Sequence, residues 1–348
     1  MSGMSSSYFH ILNGGSTAET FRRTGIPGEH FVWREILSEG PTPCASGEPD
    51  SHHLFDEHVL KLRAYYLKRS SGVPPAHYLK EMRDQEEILG ASLRSQELVL
   101  WFEADFFCQM NLIGLLRWLA SQEHLPSAMR LIYAETFPGK PDFRGLGELN
   151  ETQLKSLYST RVPVEENLLR QAERFWSAYC SPDPSNLLKL KSDLTPAWMR
   201  RTLELHLRRF PSFETGLNAV EEQTLRLLLD GPLKIADLFQ RIGNCQATRA
   251  YGMGDLQYWG YLATMKRLER PLISIDGPPS LPGYDETVTR SVLDRWTAEI
   301  ADFGREVLSG ASDSVHENGI DAWLGGLHLS GKHSIWRWRE TDQTLLKK

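Results

Sequence analysis

The sequence predicts an α/β fold with an N-terminal doubly wound parallel sheet, and three observations predict it. Four short apolar runs, Tyr8–Leu12, His30–Trp33, Leu98–Trp101 and Met129–Tyr133, have the length and continuity of strands buried on both faces. Helical patterns lie between most of them, and alternation of this kind builds parallel sheets. The first run breaks into Asn13-Gly14-Gly15-Ser16-Thr17, a glycine turn that leads into a helix start, as in the nucleotide-binding folds of Rossmann-like type.

Each element follows from its own signal. Ser16 and Glu19 have capping-box spacing, which predicts that Ser16 caps a short helix ending at Gly25, with Pro27 beyond it. His52–Lys68 and Pro75–Leu89 read as helices, and Phe106–Ala120 is apolar on most faces, as a helix packed on a sheet should be. After Tyr133 the chain turns irregular through Pro138-Gly139-Lys140-Pro141 and Gly145-Leu146-Gly147, and Asn150 with Gln153 then caps another helix. Val164–Tyr179, Pro184–Leu190 and Pro196–Phe210 continue as helices. Glu221–Leu229, Ile235–Ile242 and Asp255–Leu268 with a strand over Pro271–Ile275 predict a winged-helix-like module. Near the end, Trp323–Leu329 and Ser334–Arg339 read as two strands closed as a hairpin across Ser330–His333. The expected organisation is a Rossmann-like domain over residues 1–145, a helical connector over 146–213, and a winged-helix-like domain with a C-terminal helix and hairpin over 214–348.

Composition bounds the function. The 348 residues suit two domains, and the net charge of −6 supplies no general attraction for nucleic acid or anionic lipid. Cys44, Cys108, Cys180 and Cys245 are far apart and lack zinc-ligand spacing, so they read as reduced thiols. No apolar stretch reaches the roughly 20 residues of a spanning helix, and Met1–Ser7 lacks the charged and apolar regions of a signal peptide, so the expected compartment is the cytoplasm.

In an open parallel sheet, ligands bind beyond the carboxyl ends of the strands where the strand order reverses. If the first and third strands flank that point, Asn13, Gly14, Gly15, Ser16 and Thr17 face Glu103, Asp105 and Gln109, with His10 beside them and Glu35 and Glu135 at neighbouring strand ends. Glycine amides would approach an anion, whereas the carboxylates would repel a bare phosphate unless Mg²⁺ or a cationic group intervened. The expected ligand is therefore a small polar molecule such as a metal-bridged nucleotide, a sugar or an amine, with Ser16, Glu103 and Asp105 as candidate catalytic groups of a hydrolase or transferase.

Each candidate has a plain structural alternative. Ser16 is accounted for as a helix cap, Glu103 and Asp105 as acids favoured by a helix dipole, Asn13-Gly14 as a tight turn, and His10 as a hydrogen-bonded strand histidine. Asp313 and His316 have the Asp-x-x-His spacing of SGNH-type esterases, with Gly14-Gly15-Ser16 in place of the Gly-Asp-Ser form. His52, His53 and His58 near a helix start have no companion ligand set for a metal.

Three stretches, His10–Thr17, the block Trp33–Pro41, and Trp101–Asp105 continuing through Gln109, Asn111 and Leu112, together resemble the bacterial family catalogued as domain of unknown function 1835. Gly254–Trp259 resembles the C-terminal domain often fused to it. The resemblance implies that these polar blocks belong to one recurrent architecture, and it carries over no catalytic role.

The winged-helix-like module also raises the expectation of a DNA-reading regulator. Its charge argues against nucleic acid, because Glu214–Asp276 holds seven Lys or Arg against eight Asp or Glu. Leu256, Tyr258, Trp259, Tyr261, Leu262 and Met265 suit burial, self-association or a protein partner. The alternative to a ligand-binding enzyme is thus a ligand-sensing regulator or an interaction protein.

Overall fold

The computed structural model describes residues 7–42 and 54–348. The chain alternates β1 (Tyr8–Leu12), α1 (Gly15–Phe21), β2 (Glu29–Val32), α2 (Glu57–Ser71), α3 (Pro75–Ser92), β3 (Glu97–Glu103), α4 (Phe106–Ala120) and β4 (Ala128–Ala134). There follow α5 (Glu151–Tyr158), β5 (Val162–Pro163), α6 (Glu166–Tyr179), α7 (Ser185–Leu190) and α8 (Ala197–Leu207). The first five strands form one sheet in the order β2-β1-β3-β4-β5, parallel except for β5. Because β1 has β2 on one side and β3 on the other, the connections leave it in opposite directions. This order places the topological switch point between the carboxyl ends of β1 and β3.

The continuous apolar character of β3 has a direct cause. Leu98, Leu100 and Phe102 face one core, with α4 and α6, while Val99 and Trp101 face a second core with Ala18, Phe21, Leu146 and Leu154. All five are fully buried, so the period of two is hidden in a run that is apolar on both faces.

The expected Ser16 capping box does not form. Helix α1 starts at Gly15, Gly14 is its N-cap without a side-chain hydrogen bond, and Ser16 lies exposed inside the first turn. The chain turns into the helix directly after Asn13, so the helix starts too early for the serine oxygen to reach an orphan amide. The capping box at Asn150 and Gln153 does form, with bonds of 3.0 and 3.1 Å.

The last part of the chain contains α9 (Ala219–Leu227), β6 (Leu233–Lys234), α10 (Ile235–Asn244), α11 (Asp255–Arg267), β7 (Ile273–Asp276), α12 (Arg290–Leu293) and β8 (Thr297–Ile300). Here β6, β8 and β7 form a three-stranded antiparallel sheet in that order. Then come α13 (Asp302–Leu308), α14 (Ser314–Asn318), β9 (Ile320–Leu324), β10 (Leu327–Gly331), β11 (Trp336–Arg339) and β12 (Thr344–Lys347). The expected hairpin across Ser330–His333 is replaced by two, because β9 pairs with β10 and β11 with β12. Gly325-Gly326 turns the chain inside what reads as a single strand. A Cβ on Gly326 would stand 1.7 Å from the Cys180 carbonyl oxygen, so only glycine fits against the end of α6.

One continuous apolar core runs from Ile11 through Phe175 to Leu345, joining the sheet, the connector helices and the C-terminal unit. Helix α11 packs on α2. Around that seat, Arg209 pairs with Glu39 at 2.7 Å, Gln257 donates to the Ser38 hydroxyl at 3.4 Å, and the Tyr284 hydroxyl meets His77 Nε2 at 2.9 Å. Among the described residues no helix is long and apolar enough to cross a membrane.

Candidate functional site

The switch point between β1 and β3 gathers a polar cluster built on an unusual helix. Helix α4 is apolar almost throughout yet holds Asn111 with no exposed surface. A buried amide needs partners. Asn111 Nδ2 donates to the Glu35 carbonyl at 2.8 Å and to Asn13 Oδ1 at 2.9 Å, while its Oδ1 accepts from the Leu37 amide at 3.2 Å. This fixes Asn13 so that its Nδ2 points at Cys108 Sγ, 2.8 Å away.

Glu103 and Asp105 stand at the end of β3 on the other side of Cys108. Glu103 Oε1 accepts from the Leu146 amide at 2.6 Å, and Cys108 Sγ lies 3.5 Å from Oε2. Asp105 caps α4 by accepting from the Cys108 amide at 2.8 Å. One ligand atom each from Glu103, Asp105 and Cys108 can be chosen so that all lie within 4.8 Å of one another.

Two glycines close over this pair. A Cβ on Gly145 would stand 2.7 Å from the Glu103 carboxyl carbon, and one on Gly252 would stand 2.4 Å from that of Asp105. Gly252 has φ of 61°, in the left-handed region, so both its backbone and its contact require glycine. Burial raises the Glu103 carboxyl to about 7, helped by the neighbouring Asp105 charge. Burial likewise raises Asp105 to about 6, and it pushes the Cys108 thiol well above its ordinary value. Both carboxyls are thus held above the ordinary carboxylate range, and the thiol stays protonated.

The remaining candidates fall into three groups. Gly14, Gly15 and Ser16 lie at the rim: the Ser16 hydroxyl makes no hydrogen bond among the described residues, and Gly147 packs against Ser16 and the buried Thr17. His10 and Gln109 are fully buried and occupied elsewhere. His10 accepts from Trp101 Nε1 at 3.2 Å and reaches the Pro27 carbonyl at 3.0 Å among the rings of Phe21, Trp101 and Tyr158, and burial lowers it to about 4. Gln109 ties α4 to Tyr133 at 2.7 Å and to Thr202 at 2.5 Å. Glu35 and Glu135 are held by cations: Glu35 by buried Arg63 at 2.7 Å with the Tyr78 hydroxyl at 2.6 Å, and Glu135 by Arg201 on the surface. Only Glu103 and Asp105 of the four strand-end acids come together.

Asp313 and His316 do not form an esterase dyad. Asp313 caps α14 through the Val315 and His316 amides, each at 3.0 Å, and pairs with Arg337 and Lys348. His58 is exposed on α2, whereas His52, His53 and Cys44 lie outside the described residues. The sequence reading missed Cys108, Gly145 and Gly252 as members of the site. Cys108 was accessible as the residue three positions after a capping Asp105; the glycines, far away in the chain, had no local signal.

A Mg²⁺ ion fits the pair in one respect. Glu103 Oε2 and Asp105 Oδ2 are the carboxylate oxygens not taken by backbone amides, and Mg²⁺ is commonly held by two carboxylates with its other positions on water or ligand oxygens. The protonated Cys108 sulfur is no ligand for so hard a cation. No protein-family model matches the chain, and no curated protein matches it.

Proposed function

We propose that this chain is a cytoplasmic α/β protein that binds a small polar ligand at the switch point between β1 and β3 and acts on it by acid–base chemistry, as a hydrolase or transferase. One observation carries the reading: Glu103 and Asp105 share a half-buried cluster at the topological switch point, and among the described residues no cation is paired to either. A group that exchanges its proton near neutral pH suits general acid–base work. Asn13, held by Asn111, would orient the ligand. An anionic ligand such as a nucleotide would need Mg²⁺ on the two carboxylate oxygens, since the pair repels a bare phosphate. The ion would neutralise phosphate charge there. Ser16 at the rim is a contact residue in this reading, and among the described residues no base is hydrogen-bonded to its hydroxyl to make it a nucleophile.

The kinship with the family catalogued as domain of unknown function 1835 is proposed on the same polar blocks. We read the N-terminal sheet as Rossmann-like, and α9, β6, α10, α11, β7 and β8 as a winged-helix-like unit. In that reading α11 would be the helix that enters a DNA groove, but it is seated on α2, and the loop carrying Tyr284 is seated on α3. The unit is therefore assigned to docking within the chain, and a ligand-sensing regulator is the alternative to an enzyme.

Thermal shift of the purified chain against nucleotides, sugar phosphates and amines, each with and without Mg²⁺, tests the reading. A ligand that raises Tm in the wild type and not in Glu103→Gln or Asp105→Asn is expected. Silence across the panel, or equal shifts in the variants, would remove the site.

A further inference from the structure

The acid pair is enclosed by two segments that differ in how they are held. On the Glu103 side, the turn around Gly145 is bonded to the carboxylate through the Leu146 amide at 2.6 Å. On the Asp105 side, Gly252 makes van der Waals contact only: Asp105 Oδ1 is engaged by the Cys108 amide, and among the described residues no hydrogen bond joins Asp105 to residues 248–254. That second segment belongs to the C-terminal unit, between α10 and α11. Its anchors lie to either side of the contact. Tyr251 donates to the Leu205 carbonyl at 3.1 Å and packs edge-on against Phe106, and Gln257 bonds the Gly254 amide at 2.8 Å. Between the anchors lies Gly252-Met253-Gly254, two glycines around one residue.

We propose that the segment Gly252–Gly254, between the Tyr251 and Gln257 anchors, is the movable wall of the acid pocket, so that a molecule reaching Asp105 displaces this wall and loosens the seating of α11 on α2. The inference rests on the reading that the pocket takes a ligand. Gly252 is then a positioning residue: its missing side chain lets the C-terminal unit close on Asp105, and the pocket is incomplete without that unit. The wall on the Glu103 side stays in place because moving it breaks a hydrogen bond to the half-buried Glu103 carboxylate, whereas opening at Gly252 breaks no bond to Asp105 and leaves the Tyr251 bond to Leu205 in place.

Two buried cysteines make the motion measurable without any ligand. Cys108 lies behind Asp105, and Cys180 lies at the end of α6; each is 2% exposed. Pulse alkylation of the full chain with iodoacetamide, read by mass spectrometry across low urea concentrations, separates local from global opening. The expected result is a Cys108 rate that is flat in urea while the Cys180 rate climbs. Gly252→Ala, which wedges a methyl against Asp105 and so strains the closed state, is expected to speed Cys108 labelling about tenfold while its rate stays flat in urea and that of Cys180 still climbs. Parallel urea dependence of both cysteines, or a Gly252→Ala effect absent at Cys108, would overturn the movable wall. If Gly252→Ala does not fold, the wild-type urea dependence decides alone. Labelling that matches the expectation in a protein that binds nothing in the thermal-shift panel would keep the moving wall and remove the ligand reading.

Discussion

The N-terminal region contains two sets of inward-facing acids, and they are treated in opposite ways. Glu35 and Glu39, from the segment after β2, each meet a buried arginine: Arg63 at 2.7 Å and Arg209 at 2.7 Å. Arg63 also donates to the carbonyls of Ile36, Glu39 and Pro41, so one guanidinium fixes the shape of the whole segment. Glu103 and Asp105, at the end of β3, have amides, a thiol and each other. The first set is charge-compensated and shapes the backbone that reaches Asn111 and, through it, Asn13. Among the described residues the second has no paired cation, and burial pushes both carboxyls above the ordinary carboxylate range. A buried acid with its own arginine is structural, while one without a cation has a proton or a metal ion to exchange.

The contrast is broken most forcefully at Arg63. Arg63→Met leaves Glu35 buried without its counter-charge, and a loss of about 3–5 kcal/mol is expected by chemical denaturation. A loss under about 1 kcal/mol would mean that the pair contributes little to the segment. Asn111→Ala comes next, because it strands the Leu37 amide and Asn13 Oδ1; a loss of about 1–3 kcal/mol is expected, together with loss of any ligand-induced Tm shift.

The acid pair should act in the opposite sense. A carboxyl raised in the folded state keeps its proton while the unfolded chain ionises, so folding is penalised as pH rises through the unfolded value. For Glu103 the window runs from its ordinary 4.5 to about 7, and for Asp105 from 3.8 to about 6. The contribution is most favourable below the lower values, declines across the window, and is constant above it. Glu103→Gln is expected to flatten this decline and to stabilise the chain at pH 8 by about 1 kcal/mol. A steeper decline in the variant would contradict the assignment. The smallest effect is expected at Ser16: with no cap bond to lose, Ser16→Ala should stay within about 0.5 kcal/mol. Asn150→Ala should cost about 1 kcal/mol, because its cap is formed.

What the sequence made legible follows the range of the forces involved. The strands after Tyr8, near His30, Leu98 and Met129, and the helix Phe106–Ala120 are local patterns, and they fall where burial on both sheet faces requires them. Asp105 and Glu103 were readable because a strand end followed by a helix start is also local. The departures arise where a long-range contact decides. Ser16 lost its cap when the Asn13 turn, fixed by Asn111 from α4, started the helix early. Gly325-Gly326 became a turn because the end of α6 lies against it. Glu35 was drawn from the switch point by Arg63, 28 residues away in sequence. Gly145 and Gly252, which close the site, come from segments whose patterns gave no hint of each other.

The central claim is that Glu103 and Asp105 are an uncompensated pair exchanging a proton near neutral pH. Carbon-13 NMR titration of side-chain carboxyls in the full chain, assigned by difference against Glu103→Gln and Asp105→Asn, tests it most directly. Two coupled transitions with midpoints near 7 and 6 that belong to the pair are expected. Two independent transitions in the ordinary range near 4 would show both acids to be solvated, and the site would have lost the property on which its function rests.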